Sequence, residues 1–506
     1  MSKSAAISED QARGSRLRAL TARPTTPQAG AFVSLLLFSI PLTFVTGISL
    51  FATDLLNARS LVVFLSLEIA AIAMASVVLG RARGDRFDLF EPSMVVNLVF
   101  LLYYCVRPIY LMSAMSHAAT DMFVANNPAV ATDFAWAVGY EGLGLVCFHA
   151  GYYAMKRHLC EGSRLRGSLR RWDTRRVTHV AFIGGALAMV SVAITISASG
   201  GIEGALAYAG RLRGITEGYA YGLLGAVYFP IILVLLLVDH LLGHPRKISI
   251  IFFSIMTVGY YALIGNRTSI VSALLSCMIV YVYMRGIKKP WRFAVLSIAT
   301  GIVVVPAVTF WGFARQYNVA ASDMPMVVNI MRDEDSGAFY SQILGELSAV
   351  DSFAAILHGG PSVFPFRYGQ TYSDVALFVV PRTVWPDKPK SFSGAVGTYV
   401  MGDGNDVPPG EVGELYVNFH VFGIVIGMSI IGSLMGIIYS RAMGSSAGGV
   451  ALYALLIPYV GSLLSHNALG GIVLLLTAVL PMWPAVLYIE AVRRGGGRSL
   501  YQLETS

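Results

Sequence analysis

Charge is what this chain has least of. Only 13% of its 506 residues are Asp, Glu, Lys or Arg, about half the share of a soluble globular chain, while 55% are hydrophobic and the mean hydropathy is +0.64. That balance excludes a soluble enzyme and indicates a polytopic membrane protein. Cysteine is nearly absent too. Cys105, Cys147, Cys160 and Cys277 show no metal-ligand spacing, and none lies in the segment 314–413, so no structural disulfide is expected there. Metal motifs are missing: there is no HExxH, and the one dense carboxylate run, Asp333-Glu334-Asp335, is also the only DxD match and reads as a solvated loop tip. No metal or other cofactor is expected. The net charge of +8 would suit nucleic acid, but in so apolar a chain it reflects basic cytoplasmic loops, and no nucleic-acid partner is expected.

What is abundant is apolar sequence, recurring from residue 30 to residue 490 in runs of the length that crosses a bilayer, about 17–25 residues. The expected fold is all-α, a helix bundle of about twelve spans, at 30–52, 60–80, 91–113, 132–155, 177–198, 219–240, 248–265, 269–284, 293–313, 415–440, 450–466 and 469–491. The first apolar run, after the basic stretch holding Lys3, Arg13, Arg16, Arg18 and Arg23, is too long for a signal-peptide core and reads as a spanning helix. The organisation is then a tail over 1–29, membrane helices over 30–313, one large outer loop over 314–413, membrane helices over 414–491 and a tail over 492–506. Twelve spans put 26 of the 37 Lys and Arg on one side, with both termini, and the positive-inside rule makes that side the cytoplasm.

The basic residues left over are the informative ones. The loop 314–413 carries six of them against eleven Asp or Glu, so isolated cations lie in a net acidic segment. It contains an expected amphipathic helix around Tyr340–Ala355 and an apolar patch, Val375–Val380, too short to span. Its last part, with the start of the next span, is the most polar and aromatic stretch of the chain: FPFRYGQTYSDVALFVVPRTVWPDKPK, followed by PPGEVGELYVNFHVFG. A guanidinium is a planar fork of donors that stays charged, which suits phosphate oxygens at a membrane boundary. Arg267 in the turn Gly265-Asn266-Arg267-Thr268, Arg315 after Phe310-Trp311-Gly312-Phe313, Arg211 and Arg213 in an amphipathic outer loop, Arg367, Arg382, Lys388 and Lys390 are the candidate cations. Each arginine also has a plainer reading as a helix end or a headgroup contact, as does Arg107 before Pro108, and Lys388 and Lys390 have one as an ordinary solvated turn. Glu414 opens a helix, where a carboxylate also favours the helix dipole. Asn418 shares its face at i+4, Tyr416 lies beside them, and His420 falls about 120° away.

These motifs together resemble the oligosaccharide repeat-unit polymerases, the Wzy-type O-antigen and exopolysaccharide polymerases. The resemblance rests on GNR at a short turn, FRYGQTY, VPRTVWPDKP and GELYVNFHVFG, and covers residues 260–440 by motif and the whole chain by topology. One departure is His420, where the family pattern more often has Gly after Phe. The resemblance implies a bundle similar to the integral-membrane GT-C type glycosyltransferases, in the bacterial inner membrane. It also implies a metal-independent transfer of a glycan from an undecaprenyl pyrophosphate carrier to another carrier-bound repeat unit. Arg267, Arg315, Arg367 and Arg382 would stabilise the pyrophosphate, and Glu414 would be the base. Tyr368, Tyr372 and Trp385 would offer flat surfaces to sugar rings. Membrane lipid, a chain-length regulator and a flippase are the implied partners. An O-antigen ligase, a flippase or transporter for lipid-linked glycans, and a non-catalytic scaffold remain as other readings of the same residues.

Overall fold

The computed structural model describes residues 57–83, 88–112, 128–156, 172–207, 222–264, 266–285, 347–378, 385, 392–401, 407–466 and 468–491. Among these residues every regular element is helical and no strand occurs. Six helices are long and apolar enough to cross a membrane, which marks the chain as a multi-pass membrane protein. The expected spans at 30–52 and 293–313 lie outside the described residues, as do both tails.

Local sequence explains where the helices begin. Helix α1 (Ala58–Ala82) is capped by Asn57, whose side chain accepts from the Ser60 N–H at 2.8 Å. Helix α2 (Pro92–Leu101) has proline in its first turn, where no N–H is needed. It runs through a π-helical turn, Leu102–Val106, into α3 (Arg107–Met112). Helix α4 (Pro128–Met155), at 28 residues, is the longest uninterrupted one described. It carries Asp133 and Glu141 and is not one of the six helices counted above as able to cross a membrane. Next come α5 (Thr174–Ala198), capped by Asp173, and the short α6 (Ile202–Ala207). A 3₁₀ turn at Gly222–Val227 leads into α7 (Tyr228–Leu241), followed by α8 (Lys247–Leu263) and α9 (Arg267–Arg285). The stretch read as an outer loop supplies α10 (Ala349–Val363), α11 (Gln370–Phe378) and α12 (Phe392–Met401), and the chain closes with α13 (Gly410–Ser445), α14 (Ala447–Ser465) and α15 (Ala468–Glu490). The amphipathic helix expected near Tyr340–Ala355 is α10; residues 340–346 lie outside the described set. The apolar patch expected at Val375–Val380 falls on the end of α11, except for 379–380, which also lie outside it.

The bundle is organised around α4. One face packs on α1, with Gly142 against Ile69 and Ile72, and another packs on α13. Here small residues let backbones touch: a Cβ at Gly151 would strike the Ser429 carbonyl, and one at Gly432 the Phe148 carbonyl. Such contacts hold apolar helices together where lipid offers no hydrophobic drive. At the basic end of α4 the Tyr283 and Tyr439 hydroxyls donate to Asp88 Oδ2 at 2.6 and 2.7 Å. Tyr152 and Lys156 donate to Glu91 Oε1 at 2.8 and 2.7 Å. These bonds tie the segment before α2 to α4, α9 and α13.

The expected span at 415–440 has a different shape. Phe419 (φ −140°, ψ 16°) and His420 (φ 58°, ψ −155°) leave the helical region in the middle of α13. Both Val412 and Met428 meet Gly144 of α4, with 2.8 and 3.5 Å left to a Cβ there. A straight helix would separate those two residues by about 24 Å. The chain therefore reverses at 419–420: a first limb, 410–419, runs antiparallel to α4, and a second, 421–445, runs back along it. The second limb is still about 37 Å long, enough to span. Helix α10 lies alongside α4 in the same sense as the first limb, with Phe353 beside Tyr140 (ring centroids 6.1 Å apart) and His358 Nδ1 at 2.9 Å from Asp133 Oδ2.

Candidate functional site at the meeting of two half-helices

The N-terminal ends of α10 and α13 meet inside the bundle. A Cβ at Gly410, whose φ is +73°, would lie 3.6 Å from the Ala349 Cβ and 3.1 Å from the Leu464 carbonyl oxygen, and against the Tyr104 hydroxyl. Only a residue without a side chain allows this approach. Each half-helix carries an acid in its first turn, Asp351 and Glu411, which offsets the positive end of the helix dipole. The level is that of Gly144, well inside α4.

Buried polar groups collect here. Arg107 is 0% exposed and pairs bidentately with Asp351, with Nε and Nη2 donating to the two carboxylate oxygens at 3.2 Å each. Tyr104 donates to the Leu464 carbonyl at 3.0 Å and lies within electrostatic reach of Glu141 and Glu411. Glu411 accepts from the Tyr372 hydroxyl at 2.9 Å. Burial, then the charges of Glu411 and Glu414, push the Tyr372 hydroxyl pKa up from its ordinary value. Glu414 is 1% exposed.

Nearer the reversal, the two motifs singled out in the sequence are fastened to each other. The Arg367 N–H donates to the Val417 carbonyl at 3.0 Å and the Gly369 N–H to Asn418 Oδ1 at 2.9 Å. Asn418 Nδ2 donates to Thr371 Oγ1 at 2.7 Å and to the Glu414 carbonyl at 2.8 Å. Asn418, expected to bind substrate, is a buried fastener of the FRYGQTY turn, with its amide oxygen and nitrogen both hydrogen-bonded. Tyr368 (φ 49°) is thrust outward, 83% exposed. The Arg367 guanidinium lies over the Phe392 ring at 5.7 Å, and its Nη1 donates to Gln370 Oε1 at 3.3 Å. An aromatic wall continues from there. Tyr416 has Tyr140, Phe353 and His420 at ring distances of 5.4, 5.5 and 4.8 Å, and Phe366 lies 5.5 Å from His420. Tyr372 stacks on Phe419.

The His420 backbone occupies a region that favours glycine and costs other residues about 1–3 kcal/mol. This gives a physical reason for Gly in the resembled pattern. His420→Gly is therefore expected to unfold at a higher temperature in detergent than His420→Ala, by the equivalent of about 1 kcal/mol, because only glycine removes the strain. Equal melting temperatures for the two variants would mean the turn is unstrained.

The structure brings together Glu414, Tyr416, Asn418, His420, Arg367, Tyr368 and Tyr372. Arg267 begins α9, beside Asn266, whose side chain accepts from the Ser269 N–H at 3.2 Å and so caps the helix start. The Arg267 side chain lies outside the described residues, as do Arg211, Arg213, Arg315, Arg382, Lys388 and Lys390 altogether. Trp385 is half-buried. Among the described residues no group of three or more His, Cys, Asp or Glu is placed to hold a metal ion. Sequence reading missed Glu141, whose signal was a carboxylate at the middle of an apolar run. It also missed the Arg107–Asp351 pair, which 244 residues of separation hide. Comparison with protein-family models, curated proteins and solved structures found no match.

Proposed function

We propose that the protein is a membrane glycosyltransferase of the repeat-unit polymerase class. In this reading it transfers a glycan from an undecaprenyl pyrophosphate carrier to a second carrier-bound repeat unit, at the outer face of the bacterial inner membrane. The observation that carries the proposal is the fastening of the FRYGQTY turn to the GELYVNFH limb. It gathers a guanidinium, an aromatic wall and buried carboxylates into one place. The reaction asks for each of these. Glu414 accepts the proton of the acceptor hydroxyl as its oxygen attacks the anomeric carbon. The carbon–oxygen bond to the pyrophosphate breaks and the carrier leaves with the electron pair. Arg367, with Arg267, Arg315 and Arg382 as further cations, meets the growing phosphate charge. Tyr368, Tyr416 and His420 present rings to the sugars, and Arg211, Arg213, Lys388, Lys390 and Trp385 extend the substrate-binding surface.

Glycan length on a gel tests this. A strain lacking the gene is expected to show single repeats and to regain a ladder with the wild-type protein. Full-length polymer left off its lipid anchor would make the protein a ligase instead. One observation favours another reading: half-helices that start in mid-bundle beside buried charge are a transporter device. A flippase null would leave no repeat units at the outer face, single or joined.

A further inference from the structure

Glu141 is among the buried side chains that the groups above do not use. It lies at the middle of α4, about 20 Å from either end, and is 0% exposed. Neither carboxylate oxygen has a hydrogen-bond partner among the described residues. The buried cation at this level, Arg107, is engaged by Asp351 in a bidentate pair. A buried ionised carboxylate without a partner is among the costliest things a protein can hold, and in an apolar bundle such a group marks function by default. Tyr104, from the π-turn, lies within electrostatic reach of both Glu141 and Glu411, the latter at the start of α13. The other titratable groups on the elements packed here are the paired Asp351 on α10, Tyr140 beside Glu141 in sequence on α4, and Glu68 on α1, next to the Ile69 that meets Gly142. Beyond Glu411, the Tyr372 hydroxyl continues the row toward the exposed FRYGQTY turn.

We propose that Glu141 is a proton-binding site in the middle of the bundle, exchanging with the outer face along the row Tyr104, Glu411 and Tyr372. The neutral acid needs no counter-ion, and its hydroxyl can donate where the carboxylate could only accept. The site belongs to the bundle, whichever chemistry the outer turn performs, and it goes beyond the glycosyl-transfer reading.

A hydrophobic carbodiimide reacts with protonated carboxyl groups in apolar surroundings, so it reads the proposal directly. Wild-type protein in membranes is treated with dicyclohexylcarbodiimide between about pH 6 and pH 9, and the peptide holding Glu141 is weighed by mass spectrometry. The expected result is an adduct on Glu141 that fades toward high pH, is unchanged by added sodium ion, and is lost in Glu141→Gln. No adduct at low pH, or an adduct that does not fade with pH, overturns the proposal. Protection by sodium ion overturns it too, in favour of a metal-cation site. The wild-type protein alone decides these outcomes, so a poorly folding variant does not rescue the idea. The infrared band of a protonated carboxyl, present in wild type at neutral pH and absent in Glu141→Gln, is the second measurement.

Discussion

Glu414→Gln is expected to cut polymer formation by about 10²–10⁴-fold, the usual worth of a general base, while the protein still reaches the membrane in normal amount. Glutamine keeps the volume and the hydrogen-bonding ability of the buried side chain but cannot take a proton. The first limb of α13 should therefore fold as before, since its shape depends on Asn418 and the Gly410 approach. Glu411→Gln is the comparison. Glu411 lies in the first turn of the limb and accepts from Tyr372, so its replacement acts on the anchoring of the limb to α11 rather than on the proton transfer. Glycan length scored on a gel beside membrane protein level separates the two. Near-normal ladders from Glu414→Gln would end its role as base.

Asp351→Ala is expected to destabilise the bundle by about 3–5 kcal/mol, because it removes the carboxylate that pairs bidentately with a fully buried guanidinium. The double variant Arg107→Met with Asp351→Leu should recover most of that loss, since apolar residues of similar volume carry no buried charge. Thermal unfolding followed in detergent checks both. A small loss in Asp351→Ala would show that the pair does not hold α10 to α3. A double variant as unstable as the single one would show that the loss comes from packing. The pair joins one of the half-helices to the span that carries Tyr104, so its failure should also loosen the junction where α10 and α13 meet.

Most of the helices were readable from hydropathy. α1, α5, α9 and α14 fall within a few residues of the expected spans because length and apolarity alone decide them. The starts of α1 and α5 were not read from the sequence; the structure shows them capped by Asn57 and Asp173. The span at 415–440 was not legible as a hairpin. Its apolar residues continue through the reversal, and nothing in the local pattern of Asn418-Phe419-His420 declares a positive φ. The pairing of the FRYGQTY and GELYVNFH motifs was anticipated only as proximity in one polar stretch. Their actual bonds run from Arg367 and Gly369 to Val417 and Asn418, some fifty residues on.

The sequence by itself determined that this is an all-helical membrane protein with its polar chemistry concentrated between Phe364 and Gly423. Apolar length and the scarcity of charge are properties of the chain, and a bilayer reads them one segment at a time. Only the tertiary structure decided that α13 doubles back, that Asp351 answers Arg107, and that Glu141, with no hydrogen-bond partner among the described residues, stands beside the ends of two half-helices. Those facts depend on which helices share a level, and levels are set by the packing of Gly151, Gly410 and Gly432 against distant backbone. Close approach of that kind is a relation between segments, and no single segment contains it.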